Sequence, residues 1–202
     1  MTLSVGQGHQ QALELLERAL GYTRIALTTV GPDRSGPSPC AGWSLADLLV
    51  HMDDGLDAFL EAAEGAVQVP AGVGVPPGLD RRPGADLDQL QRKACHLLGV
   101  WSVPTPPLVL VGDRLVPSGL LVTAAALEIA VHGWDVAQAT GVRHHLPDDL
   151  GRALLPVALA VVDPEDRPGR FAVPQVPPRG LGPSAQLLGF LGRGGPEGAA
   201  PV

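Results

Sequence analysis

Glu128 and His132 stand four residues apart, and Asp135 follows three later, within the otherwise apolar stretch from Leu120 to Ala139. At about 100° per residue, the three positions fall within about 60° of one another, so on a helix they share a stripe. A helix that is apolar on nearly every side belongs in the middle of a bundle, where an unpartnered carboxylate is strongly destabilising. A divalent cation compensates such a charge directly, because Glu and His at i and i+4 present an oxygen and an imidazole nitrogen to one point. The plainer alternative is a buried hydrogen bond from His132 to Glu128. A third ligand would favour the metal, and His51 offers one, although alone a histidine there is more often a satisfied core or boundary residue. Together, His51, Glu128 and His132 would leave a fourth coordination position open, as catalytic zinc does and structural zinc does not. Asp135, and Asp54 three residues after His51, are then candidates for orienting the histidines or accepting a proton.

Other reactive side chains have plainer readings. Cys40 precedes a helix start, where the dipole would lower a thiol's pKa, yet a small buried hydrophobe explains it as well. Cys95 lies beside an apolar stripe and is expected in the core. His144 and His145 sit between Gly141 and Pro147, as in a solvated turn, while His9 and His96 have no partner pattern. There is no P-loop, no GxGxxG after a strand and no GxSxG elbow.

The elements that must position these residues are mostly helices. Apolar periodicity from Gln7 predicts a first helix to about Val30, stopped by Gly31-Pro32. Ser44 with Asp47 at N3 reads as a capping box for a second helix reaching about Ala63. Gly65 to Gly84 is rich in Gly and Pro and reads as a long loop, usually functional or mobile at that length. Leu87 to Trp101 forms a third helix, and the segment between Pro107 and Pro117 a hairpin turning at Gly112-Asp113. Ser118 is expected to cap a fourth helix ending near Thr140, with Gly141 as its stop. A fifth runs from about Pro147 to Val162 with a kink or early break at Pro156. Ala185 to Leu191 suits a short last helix. The expected fold class is all-α: a four-helix bundle with a short β-hairpin and an additional C-terminal helix. The 202 residues would form a single domain, core about 7–162 and a Pro/Gly-rich tail 163–202.

Composition narrows the function. With 45% hydrophobic residues a packed interior is expected, and with only 3% aromatics it must be built from Leu, Val and Ala. A net charge of −7 argues against nucleic acid as partner, since no basic face is available for phosphates. Positive charge is nearly all arginine, Lys93 being the only lysine. Two cysteines make no disulfide framework, Met1 to Gln11 lacks the apolar stretch of a signal peptide, and Leu120 to Leu127 is too short to span a bilayer. A cytoplasmic protein without a membrane partner is expected, and a homodimer through an outer helix face is compatible with it.

Three segments carry a family pattern: Pro39-Cys40-Ala41-Gly42-Trp43 continuing to His51, Glu128-Ile129-Ala130-Val131-His132-Gly133-Trp134-Asp135 with Thr140-Gly141, and Leu187 to Arg193. Together they resemble the DinB-like superfamily of four-helix-bundle metalloproteins, in its actinobacterial branch related to mycothiol-dependent maleylpyruvate isomerase. The resemblance covers most of the chain. It implies a metal, usually zinc, held by His51, Glu128 and His132, the same residues that burial and spacing select. It also implies mycothiol, or a similar low-molecular-weight thiol, as co-substrate in an S-transferase or isomerase reaction on a small electrophilic metabolite. The chain is shorter than the isomerase, so maleylpyruvate itself is not the expected substrate. In this reading the metal stabilises the thiolate, the Gly65–Gly84 loop and the hairpin near Asp113 wall the second substrate, and Arg81 or Arg82 meets an acid group. A metal-dependent hydrolase and a non-catalytic metal- or small-molecule-binding protein are the competing classes.

Overall fold

The structure, a computed structural model, describes residues 5–67, 85–167, 171–178 and 180–193. Among the described residues are six α-helices: α1 (Val5–Leu27), α2 (Leu45–Ala63), α3 (Leu87–Trp101), α4 (Ser118–Ala139), α5 (Asp148–Val161) and α6 (Pro183–Phe190). A small sheet is formed by β1 (Ala66–Val67), which follows α2, and by β2 (Leu108–Val111) and β3 (Arg114–Pro117), which lie between α3 and α4 in the chain. The fold is an all-α bundle, as its periodicity predicts.

Helix α4 is its axis. Apolar on every side, it packs against α1, α2 and α5, while α3 closes the bundle against α2 and α1. Small residues allow the closest approach: Ala19, Ala26, Ala126, Ala130 and Ala137 are all fully buried. The large side chains between them include Leu16, Leu48, Leu49, Leu97 and Leu154, each without solvent exposure. Burying such a leucine contributes about 1.5–3 kcal/mol. Lys93 ties α3 to α2, its ammonium 2.8 Å from Asp53 and 2.7 Å from Asp57. By length and composition α4 could cross a membrane, but 72% of its most apolar window is buried inside the bundle.

The capping box of α2 forms as its sequence requires, with Ser44 and Asp47 bonded reciprocally through side chain and backbone. Elsewhere the structure corrects the reading. α1 ends at Leu27 and not near Val30, because Thr28 and Thr29 turn their hydroxyls back onto Ile25 O and Ala26 O. Ser118 does not cap α4: Pro117 holds the cap position, and Ser118 is a buried first residue whose N–H donates to Pro107 O. α5 runs through Pro156 to Val161 without breaking. Pro156 is exposed, and so is Arg152 one turn earlier, so water can serve the carbonyl that loses its partner.

The expected hairpin is a three-stranded sheet. Ala66 and Val67, read as the start of a loop, pair in parallel with Leu110 and Val111. The rest of that loop, 68–84, is outside the described residues. The tail also packs. α6 starts at Pro183, two residues before Ala185, and lies on α5, where Asp148 accepts hydrogen bonds from both Ser184 N and Ser184 Oγ. Arg167 stacks over the Phe190 ring at 4.6 Å and donates to Phe190 O, fastening the last helix to the segment before it.

Candidate metal centre

His51 comes from the middle of α2, Glu128 and His132 from consecutive turns of α4. His51 Nε2 lies 2.8 Å from Glu128 Oε1, and His132 Nε2 lies 2.9 Å from the same oxygen. The two imidazole rings meet edge to face at 4.9 Å. One ligand atom from each of the three residues falls within 4.8 Å of the others. Trp43 stands against His51, ring centroids 4.8 Å apart, and so restricts that side chain from the side of the Pro39–Trp43 turn. The turn is held by hydrogen bonds from Trp43 N–H to Cys40 O and from Ser38 N–H to Trp43 O.

Behind His132 lies a second layer. Its Nδ1 is 2.9 Å from Asp135 Oδ2, and Asp135 has no solvent exposure. Arg193, beyond the end of α6, reaches that carboxylate through Nε to Oδ1 at 2.8 Å and Nη2 to Oδ2 at 2.7 Å. The Cys40 thiol donates to Asp135 Oδ2 at 3.5 Å. Burial alone would raise the pKa of Asp135, but Arg193 and His132 outweigh it and hold the carboxyl at about 2. A base that weak and already paired takes up no proton near neutral pH, and its place behind Nδ1 suits it to orienting His132.

His132 thus sits between two carboxylates, Glu128 at Nε2 and Asp135 at Nδ1. Only the imidazolium donates to both. Burial pushes its pKa down, yet Glu128 and Asp135 dominate and raise it well above the ordinary value. Glu128 responds conversely: burial pushes its carboxyl up, and the two histidines hold it well below the usual range. Two anions and a single fixed cation, Arg193, leave the site short of positive charge. A proton on His132 supplies it, and a divalent ion on the Nε2 side would replace that proton while accepting two nitrogens and one oxygen. The donor set therefore fits such an ion.

The centre opens into a cavity of about 410 Å³ between α1, α2, α3 and α4. Glu128 and His132 contribute to its wall, and Glu128 keeps 39% of its side-chain surface because it faces this space. The remaining lining is largely apolar, including Leu20, Met52, Leu56, Phe59, Leu90 and Leu98. Arg24 and Glu17 on α1 are its charged members.

Several expected residues lie elsewhere. Asp54 is exposed and is not among the residues whose ligand atoms converge with His51, and Asp47, two turns earlier on α2, is used in the helix cap. Asp113 and the hairpin do not line the cavity; α3 takes that place. Arg81 and Arg82 are outside the described residues. Cys95, expected in the core, is exposed and lines the cavity. His144, expected in a solvated turn, is half-buried and stacks on Tyr22 at 4.3 Å. His9 finds a partner in Trp101 O at 3.0 Å. Sequence reasoning gives Arg193 and the link from Cys40 to Asp135 no role; the one signal for a buried cation is Asp135 itself, the single aspartate on an apolar helix.

Residues 13–137 match the family described as the mycothiol maleylpyruvate isomerase N-terminal domain, which is metal-binding, mycothiol-related and DinB-like. Uncharacterised proteins from two strains of Mycobacterium tuberculosis are similar as well, each 30% identical over 185 residues that cover 88% of this chain and 94% of the relative. No solved structure matches the chain. A part-buried two-histidine, one-glutamate centre on a helical bundle and a match over most of that bundle agree: the chain belongs to the mycothiol maleylpyruvate isomerase N-terminal domain family of the DinB-like superfamily.

Proposed function

We propose that this protein is a zinc-dependent S-transferase or isomerase that uses mycothiol or a similar low-molecular-weight thiol on a small electrophilic metabolite. The observation that carries the reading is the convergence of His51 Nε2, Glu128 Oε1 and His132 Nε2 at the wall of a cavity large enough for a small organic molecule. When bound, a zinc ion would lower the pKa of a coordinating thiol so that the thiolate exists at neutral pH.

The chain's own residues supply the rest. His51, Glu128 and His132 hold the ion, and Asp135 keeps the His132 ring turned with Nε2 toward it. Once a substrate fills the cavity, its apolar walls would shed water and so strengthen the charge interactions at the centre. Arg24 on α1, at the level where Thr23 meets Ile129 of α4, lines the cavity and would be available to an acid group of the second substrate, as Arg81 and Arg82 are in the sequence reading. Cys40 and Cys95 are both free, which suits a reducing compartment such as the cytoplasm.

The test is a metal analysis of the purified protein followed by a screen of thiols and electrophiles. Zinc binding with thiol-dependent turnover supports the reading. Turnover without thiol would assign a hydrolase, and bound zinc with no turnover would leave a binding protein.

A further inference from the structure

We propose that Arg193 is a positioning residue of the metal centre, and that metal occupancy and docking of the C-terminal segment are coupled through the line Arg193–Asp135–His132. The inference rests on the metal reading above, and it adds a part of the chain that lies well beyond residue 137, where the family match ends.

The geometry of Asp135 is the starting point. Its Oδ2 receives His132 Nδ1, Arg193 Nη2 and the Cys40 thiol, while Oδ1 receives Arg193 Nε. A guanidinium bonded to both oxygens of a carboxylate sets its plane as well as its position. Here that plane decides where Oδ2 stands, and Oδ2 decides how the His132 ring is turned. Without Arg193 the fully buried carboxylate would lose its fixed cation and keep only the His132 and Cys40 bonds to Oδ2, so its plane and the turn of the His132 ring would be less firmly set.

The position of Arg193 is decided in turn by the end of α6. Gly192 N–H bonds to Gly189 O and Arg193 N–H to Leu188 O, the paired bonds of a Schellman motif. The motif needs a left-handed residue, and Gly192 supplies φ +76°. A Cβ there would also fall 2.6 Å from Ala172 O. At its other end α6 is seated on α5, where Gly151 lets Ser184 approach to within 2.5 Å of a notional Cβ. The last helix therefore delivers one side chain to the centre from a rigid mount. A contact that steadies the metal's ligand must by linkage be steadied by the metal to the same degree.

A purely stabilising Arg193 would leave the zinc affinity of folded protein unchanged, so affinity is the quantity to measure. Zinc binding is read by competition with a chromophoric chelator for the wild type, Arg193→Lys, Arg193→Met and Gly192→Ala. Hydrogen exchange over residues 183–193 is measured with and without zinc in the wild type and in His132→Ala. Arg193→Met and Gly192→Ala should lose about 10–100-fold in affinity, and Arg193→Lys should fall between them and the wild type. Zinc should slow exchange over 183–193 in the wild type but not in His132→Ala. If Arg193→Met does not fold, Gly192→Ala and the wild-type exchange decide the matter. Zinc affinity within twofold of wild type in folded Arg193→Met or Gly192→Ala, or exchange indifferent to zinc, overturns the coupling. A wild type that takes up no zinc overturns the metal reading itself, and the inference with it.

Discussion

Gly133 on α4 lies so close to Thr23 on α1 that a Cβ at position 133 would fall 2.3 Å from Thr23 Oγ1. The Thr23 hydroxyl is itself committed, donating to Ile129 O at 2.7 Å. The two residues thereby set the spacing of α1 and α4, and His132, next in the chain, inherits it. Gly133→Ala is expected to destabilise the protein by about 1–3 kcal/mol through overpacking. Thr23→Ala in the same background should recover part of that loss, and chemical denaturation of the single and double variants checks both expectations.

Metal content should follow the three converging ligands. Elemental analysis after dialysis is expected to give about one metal per chain for the wild type, as a single three-ligand site requires, and close to none for His132→Ala. Asp54→Ala should keep its metal, because Asp54 is exposed and outside the ligand group. Chelation should lower the melting temperature of the wild type and leave that of His132→Ala in place, since a ligand bound only by the native state stabilises it.

The ion pair behind the centre has a separate signature. Asp135→Asn keeps the shape of the side chain and removes its charge, leaving Arg193 buried without an anion. Breaking a buried pair on one side costs about 3–5 kcal/mol, and unfolding of the metal-free protein should show it. A variant as stable as wild type would mean that Arg193 can reach solvent.

Acid should loosen the seat of α6. Asp148 is held below its ordinary value of 3.8 by the side-chain and backbone hydrogen bonds from Ser184. A folded pKa below the unfolded one means that the contribution is complete above the unfolded value and is lost as pH falls through the folded value. The Ser184 amide proton should therefore titrate with a midpoint below 3.8 in an NMR series. Asp148→Asn should abolish that inflection.

Cys95 offers a way to separate cavity from metal. Its thiol is exposed and lines the cavity, whereas Cys40 is half-buried and bonded to Asp135. Alkylation is expected at Cys95 first, by mass spectrometry of the digested protein. The alkylated protein should retain its metal and lose turnover, because the adduct occupies the substrate space and touches no ligand. Full activity after modification would place the substrate elsewhere.

Much of this was legible in the chain itself, for local reasons. The capping box at Ser44 and Asp47 acts over three residues, so its residue types suffice. Glu128 and His132 share a stripe because helix geometry puts them there, and the apolar run around them announced burial. His51 was harder, since an unburied histidine would read the same on α2, and the family motif carried it.

Longer relationships were out of reach. Parallel pairing of Ala66 and Val67 with β2 joins residues separated by α3, and two residues carry no strand signal of their own. Cys95 looked like core because an apolar stripe marks one face of a helix, while only packing shows whether a neighbour closes over its edge. Ser118 has the side chain of a cap, yet its own N–H is bonded to Pro107 O and the helix starts one residue earlier than a cap there would allow.

By itself, then, the sequence determined the helices, the burial of α4 and the types of the candidate metal ligands on it, because each depends on spacing within one element. Tertiary structure alone decided that His51 faces Glu128 at 2.8 Å, that the cavity opens beside α3, and that Arg193 completes the centre behind Asp135. Those contacts join elements far apart in the chain, and their energies come from close packing and buried charge, which no local pattern records.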